Sequence, residues 1–188
     1  INNNLKKGDE VEVMIPMGNF YTELNASNKK NYVLFAGGSG ITPMMSIIKS
    51  VLAVEPNSSV LLFYGNQDEA SVIFKKKLDA LVSQHPSRLK IIYVLNIPPV
   101  NYPALQTGLM DKAKNSALVK EFVNFNSDNE FFICGPGGMM DAAKMALEEI
   151  KTDKDRIHIE YFSTPAEPAR PVSPGNAPPV YVRSQATI

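Results

Sequence analysis

Apolar residues recur along this chain as short unbroken runs, separated by stretches in which apolar positions lie three and four residues apart. The runs predict strands at 32–36, 60–64, 89–95, 131–134 and 156–162. The stretches between them predict helices. The first, about Pro43 to Val54, carries Met45, Ile48 and Leu52 on one stripe, with Thr42 as N-cap and Pro43 at the first helical position. The second, about Glu69 to Gln84, carries Phe74, Leu78 and Leu81. A third stretch includes Leu118, Phe122 and Phe125. A fourth, about Gly138 to Lys151, carries Met140, Ala143, Leu147 and Ile150. Strands alternating with helices predict an α/β fold: a doubly wound, five-stranded parallel sheet with helices on both faces. The 89–95 run is expected to be buried on both faces.

The two ends of the chain follow other patterns. Val11, Val13 and Ile15 alternate with Glu10, Glu12 and Met14, as in a strand with one buried face, after a turn at Lys7-Gly8-Asp9. Residues 25–31 are polar and read as a linker. Six of the 14 prolines fall between Pro165 and Pro179, which predicts an extended, semi-rigid linker over 163–188. The chain opens within a strand pattern and closes after a linker, so it is expected to be a piece of a longer polypeptide.

Composition narrows the function. Lysine plus arginine equals aspartate plus glutamate, 19 each among 188 residues, which argues against an electrostatic nucleic-acid binder. No apolar run approaches the ~20 residues that span a bilayer. A single cysteine forms no internal disulfide and no multi-cysteine metal site, and no metal ligand set is expected. A cytoplasmic location without membrane attachment is the expectation.

The chemistry concentrates at two glycine loops, each ending an apolar strand and opening a helix. One is Gly37-Gly38-Ser39-Gly40-Ile41-Thr42-Pro43 after the 32–36 strand. The other is Gly135-Pro136-Gly137-Gly138 after Cys134. Strand–glycine–helix junctions present bare backbone N–H groups and a helix N-terminus, which suits phosphate. The first loop has Pro43 where a full dinucleotide motif has its third glycine, and it is equally a tight strand–helix turn. Asp68, after the second strand, is placed either to hold a ribose hydroxyl or to cap the next helix. Cys134 has no histidine nearby in sequence to activate it. A packing or polar role beside a cofactor ring is expected, or a small buried hydrophobe. Glu160 and Phe162 lie at the carboxyl end of the last strand, where ligands of such sheets bind. His158 reads as a strand-face residue.

Together these segments resemble the ferredoxin–NADP reductase superfamily over roughly residues 5–162. The motifs are Gly-Asp-x-Val-x-Val…Pro-Met-Gly-Asn-Phe (8–20), Ala-Gly-Gly-Ser-Gly-Ile-Thr-Pro-Met (36–44), Phe-Tyr-Gly-Asn (63–66), Cys-Gly-Pro-x-x-Met-Met (134–140) and Ile-His-Ile-Glu-Tyr-Phe (157–162). The nearest branch resembles the NAD(P)H oxidoreductases of phenylacetate-degradation and ring-hydroxylase systems. The resemblance implies that residues 1–24 end a flavin-binding β-barrel, that 32–162 bind NAD(P)H, and that 163–188 lead to a ferredoxin domain. It implies hydride transfer from NAD(P)H to FAD, then single electrons through a [2Fe–2S] centre to an oxygenase partner. FAD and [2Fe–2S] are expected only in the full-length protein.

By motif match, Gly37, Gly38, Ser39, Gly40, Thr42, Pro43, Asn66, Asp68, Cys134, Gly135, Pro136 and Phe162 are expected to bind cofactor, with Cys134 and Glu160 in catalytic roles. Three positions depart from the cationic pattern that often accompanies a 2′-phosphate: Gln67, Leu95-Asn96 and Gly108-Leu109. NADH is therefore favoured, with Lys112 or Lys114 as the cations that remain within reach. The competing class is a non-catalytic NAD(P)-binding or docking module. A stand-alone dehydrogenase would need a general acid or base near the loops, and none is evident.

Overall fold

The computed structural model describes residues 6–13 and 17–162. The chain divides into two units. One, Phe20–Thr164, carries every named element. In the other, residues 6–13 and 17–19 are described. They hold a bridge residue at Val13 and no named strand. Ile15 of the expected alternation and the proline-rich tail lie outside the described residues.

Five strands form the sheet: β1 (Lys30–Gly37), β2 (Ser59–Asn66), β3 (Leu89–Leu95), β4 (Asp128–Cys134) and β5 (Ile157–Glu160). Their order is β3-β2-β1-β4-β5, and every pairing is parallel. The fold class is the expected one. β1 lies at the centre, with Val33 opposite Leu61 on β2 and Phe131 on β4. Sandwiched on both edges and both faces, residues Tyr32 to Gly37 are all buried.

Alternation along β1 sends its side chains to two cores. Tyr32, Leu34 and Ala36 pack with Met44, Ile47, Ile48 and Val51 of α1 (Ile41–Val54) and Leu78 of α2 (Lys75–Gln84). Val33 and Phe35 pack with Leu118 and Val119 of α3 (Lys112–Phe122) and Met140, Ala143 and Leu147 of α4 (Gly137–Glu149).

Several boundaries differ from the sequence reading, each for a local reason. Strand β1 begins at Lys30, inside the segment expected to be linker. Helix α1 starts two residues early, behind a 3₁₀ turn at Gly38–Gly40. Its buried face is Ile41, Met44, Ile47, Ile48, Val51 and Leu52, so Ile48 and Leu52 of the expected stripe are buried and Met45 is only partly so. Helix α2 begins at Lys75, because Asp68 and Ser71 close a turn on each other and Phe74 sits at φ 62°, which no helix accommodates. Strand β3 is an edge strand, so Lys90 is exposed on it and full burial fails. Phe125 lies past the end of α3 and is exposed.

The far end of α1 is closed by charge. Arg88 donates to the carbonyls of Leu52 and Glu55, both at 2.6 Å, and so satisfies acceptors that a helix C-terminus leaves open. The Glu55 carboxylate, fully buried, accepts from the Asn25 amide (3.1 Å), Asn28 Nδ2 (2.6 Å) and Tyr32 Oη (3.0 and 3.1 Å). Burial pushes the carboxyl pKa up. Hydrogen bonds from Ser58, Asn28, the Asn25 amide and Tyr32 outweigh that and leave it below the ordinary 4.5.

A carboxylate with a lowered native pKa stabilises the fold above the ordinary glutamate range, and the contribution disappears as pH falls through the native value. Urea unfolding of wild type and Glu55→Gln at a series of pH values should therefore show the largest gap near neutrality and a shrinking gap below about pH 4. A gap independent of pH would contradict this assignment.

Candidate functional site

The two glycine loops stand side by side because β1 and β4 are neighbours, with Ala36 opposite Cys134. This juncture is where the strand order reverses: β2 and β3 run out on one side of β1, β4 and β5 on the other. Ligands of open α/β sheets bind at such a switch point, at the carboxyl ends of the strands.

The loops touch backbone to backbone. A Cβ on Gly40 would lie far inside van der Waals contact of the Cys134 carbonyl, and a Cβ on Gly135 would lie 2.9 Å from the Gly37 amide nitrogen. Gly38 is glycine for another reason: its φ is +49°, with open space where a Cβ would stand. Tyr64 Oη donates to the Gly38 carbonyl at 3.0 Å and fixes the turn from the β2 side.

Helices α1 and α4 open at this juncture, and neither N-terminus carries a side-chain cap. The Ile41 amide already donates to the Gly38 and Ser39 carbonyls and the Met139 amide to that of Pro136, so an outside acceptor meets the glycine turns that lead into each helix. By contrast, α3 is capped by Asp111, which accepts from the Lys114 amide at 2.7 Å. Thr42 is the second residue of α1 rather than its expected N-cap. Its hydroxyl donates to the Ser39 carbonyl at 3.0 Å. Pro43 falls at the third position rather than the first, and it still removes no intrahelical bond there.

A cleft of about 600 Å³ opens beside the loops. Gly37, Gly38, Pro136 and Gly138 form its wall at the helix N-termini. Gln67, Asn96 and Leu109 line it farther out, with Gly65, Val94, Met110 and Met139 as an apolar floor. Of the expected cofactor-binding residues, Gly37, Gly38, Asn66 and Pro136 line this cleft. Gly40 and Gly135 are the contact between the loops. Ser39 and Thr42 are exposed at the start of α1, with Pro43 half-buried behind them.

Asp68 does not cap α2. It accepts from the Ser71 amide at 2.8 Å and lies outside the cleft lining, whereas Ser71 lines it. Asn66 is buried, and its Nδ2 makes no hydrogen bond of normal geometry among the described residues. Gln67 and Asn96 bond to each other at 3.0 Å.

The cleft residues that sequence reasoning passed over are chiefly Gly65, Ser71, Met110 and Met139. Gly65 and Met139 stood inside recognised motifs. Their use is tertiary: a Cβ on Gly65 would lie 2.8 Å from Met110 Sδ, and one on Gly37 would lie 2.8 Å from Met139 Sδ.

Cys134 is fully buried among the α1-side core residues and does not line the cleft. Burial first, and the charge of Glu160 second, push its thiol pKa up to about 11, so the sulfur is neutral. Glu160 pairs in register with Cys134 across β4 and β5. Phe162 follows, with more than half its surface exposed. His158 faces Phe132 in a stacked contact (4.4 Å) and meets Glu130 at 3.1 Å, as a strand-face residue does.

The profile of the oxidoreductase NAD-binding domain family matches residues 34–145, from the middle of β1 into α4. The chain belongs to this family. Its relatives include one of the subunits of 1,2-phenylacetyl-CoA epoxidase from Escherichia coli, 36% identical over 162 residues, which covers 86% of this chain and 45% of that protein. The ferredoxin reductase component of 3-ketosteroid-9-alpha-monooxygenase from Mycolicibacterium smegmatis is 40% identical over 161 residues, 86% of this chain and 41% of that protein. Among solved structures, the cytochrome b5 reductase domain of Ulva prolifera nitrate reductase superposes with a TM-score of 0.70 at 28% identity, covering 85% of this chain and 63% of that one.

The chain thus spans less than half the length of these two curated relatives. It is an NAD-binding domain of the oxidoreductase family, similar over most of its length to part of a ferredoxin reductase component. Among the described residues no helix is long and apolar enough to cross a membrane, and no cluster of potential metal ligands occurs.

The loop contact separates two glycine requirements. Gly40→Ala should destabilise by about 3 kcal/mol, because a carbonyl in a parallel sheet cannot step aside. Gly38→Ala should cost about 1 kcal/mol, the strain of a left-handed alanine. Urea midpoints of the two variants check the order, and equal losses would disprove it.

Proposed function

We propose that this domain presents NADH to FAD held by a preceding region of the same polypeptide, and that electrons then leave singly through a [2Fe–2S] centre to an oxygenase component. The observation that carries the reading is the pair of glycine loops crossing at the switch point, in a member of this family. Two relatives support its later steps by name, one belonging to an epoxidase and the other the ferredoxin reductase component of a monooxygenase.

The residues fit a dinucleotide. Two uncapped helix N-termini and the Gly38 and Gly138 backbone suit a pyrophosphate. Asn66 lines the cleft, and its Nδ2 is buried there without a partner of normal geometry among the described residues. When bound, the nucleotide supplies a hydride from its nicotinamide ring. Ser39, Gly40 and Thr42 orient it from the β1 side, and Gly135 and Pro136 from the β4 side. The neutral Cys134 thiol, buried behind the cleft, acts through the Gly135–Pro136 backbone that follows it and so sets how closely the ring approaches. Glu160 and Phe162 sit at the junction with the flavin region, and the outer wall of Gln67, Asn96 and Leu109 takes the adenosine, with Asp68 held just outside it by its turn with Ser71.

NADH is the preferred nucleotide. The cleft lining contains no lysine or arginine, and Asp111 is its one charged residue. Both lysines within reach are engaged elsewhere, Lys112 with Glu149 at 3.1 Å and Lys114 with the Ala104 carbonyl at 3.1 Å. A 2′-phosphate would enter without a cationic partner. Steady-state kinetics of the longer polypeptide should give kcat/KM for NADH at least about tenfold above NADPH, the worth of one missing charge-assisted bond. A higher value for NADPH would refute the assignment.

Cys134 gives the second test. Cys134→Ala removes one small buried atom and should cost about 1 kcal/mol of stability. Its effect on nicotinamide approach should be larger, because a misplacement of ~1 Å costs on the order of 100-fold in rate. Single-turnover flavin reduction in the longer polypeptide should slow, with Tm lowered by a few degrees at most. Unchanged flavin reduction would leave the cysteine a packing residue only.

A further inference from the structure

The buried Glu55 carboxylate lies outside the cleft, and its partners reach beyond its own helix. Two of the groups it holds, the Asn25 amide and Asn28 Nδ2, belong to the segment that leads into β1. That segment has few anchors of its own. Asn25 Oδ1 is spent on Ser27, accepting from its amide and hydroxyl at 2.9 and 2.8 Å. Among the described residues its other attachments to the sheet and helices include Thr22 Oγ1 with Tyr32 Oη at 3.4 Å, the partly buried Leu24, and Phe20 packed edge-on against Phe132 at 5.4 Å. Phe132 is two residues before Cys134 on β4. The segment therefore runs from Glu55, at the end of α1, to the strand that carries the second glycine loop.

Glu55 is itself held rigidly. Arg88 grips its carbonyl and that of Leu52, and Tyr32, on the central strand, donates to both carboxylate oxygens. Helix α1 has 14 residues, so Glu55 stands about 20 Å from the glycine loop at the other end of the helix. Nothing at Glu55 touches a nucleotide in the cleft.

We infer that Glu55 is a positioning residue for hydride transfer: by pinning Asn25 and Asn28 to the end of α1, it fixes the path of the chain that joins the nucleotide domain to the region preceding it. This rests on the proposed function, in which that preceding region holds the flavin. A lead segment free to shift by an ångström would misplace the acceptor relative to the nicotinamide without altering the nucleotide site.

The test uses the longer polypeptide with its flavin bound, as wild type, Glu55→Ala, Asn28→Ala and Glu55→Gln. NADH affinity should stay within about twofold in all four, since the cleft is untouched. The rate of flavin reduction at saturating NADH should fall by about tenfold or more in Glu55→Ala and by a smaller factor in Asn28→Ala. Glu55→Gln keeps an acceptor for Asn25 and Asn28 and should stay near wild type. Amide exchange over residues 20–28 should accelerate in step with the loss of rate, while β1 and β4 stay protected.

Asn28→Ala leaves Glu55 its bonds to Tyr32 and the Asn25 amide, so it reads out the lead segment even if Glu55→Ala fails to fold. A wild type that reduces flavin, with Asn28→Ala and any folded Glu55→Ala reducing it equally fast, overturns this inference alone. A wild type that binds NADH and reduces no flavin overturns the proposed function and this inference with it.

Discussion

The contact between two stretches of backbone, Gly40 against the Cys134 carbonyl and Gly135 against the Gly37 amide, is the constraint on which the site depends. Parallel pairing of β1 and β4 brings the strand ends level, with Ala36 opposite Cys134. Only the absence of side chains lets the loops that follow converge. Convergence places two helix N-termini together, and neither is capped by its own side chains. The surroundings hold the arrangement: Tyr64 fixes the Gly38 carbonyl, and Met139 packs into the space that a side chain at Gly37 would fill.

The cleft is asymmetric. Its floor is thioether and glycine, its inner wall is backbone, and its outer wall is the Gln67–Asn96 pair. Positive charge is supplied by helix termini rather than by side chains. Such a lining meets an anion with backbone and helix dipoles and holds no lysine or arginine. Cys134 stands behind the wall, uncharged and buried.

Helix α1 joins the two ends of the domain. Its N-terminus faces the cleft, and its C-terminus holds Glu55, Arg88 and the lead segment. The same Tyr32 that bonds Glu55 begins the buried run of β1, the strand that ends in Gly37. The cleft end and the Glu55 end are thus tied to one strand and one helix, which meet in the core that holds Tyr32, Leu34 and Met44.

Much of this was legible in the sequence, for reasons that are local. Short apolar runs between helical spacings fix a parallel α/β sheet, because strands covered on both faces need no polar alternation. The glycine loops were readable because several of their positions, Gly37, Gly38, Gly40 and Gly135, tolerate no side chain without a clash or strain. The motifs around them were specific enough to indicate the family. Element ends were less legible. The positive φ of Phe74 and the Asp68–Ser71 turn delay α2, and neither leaves a mark in hydrophobic spacing. The edge position of β3 is decided by strand order, which no residue of β3 encodes. Which glycine meets which methionine, the pairing of Gln67 with Asn96, and the withdrawal of Lys112 and Lys114 from the cleft all involve partners distant in sequence. So does the burial of Glu55 beneath a polar segment that reads as linker. Local pattern determined the elements and the kind of site. Only packing decided which groups share the cleft and which charges are already spent, because hydrogen bonds and close contacts are satisfied in space and not along the chain.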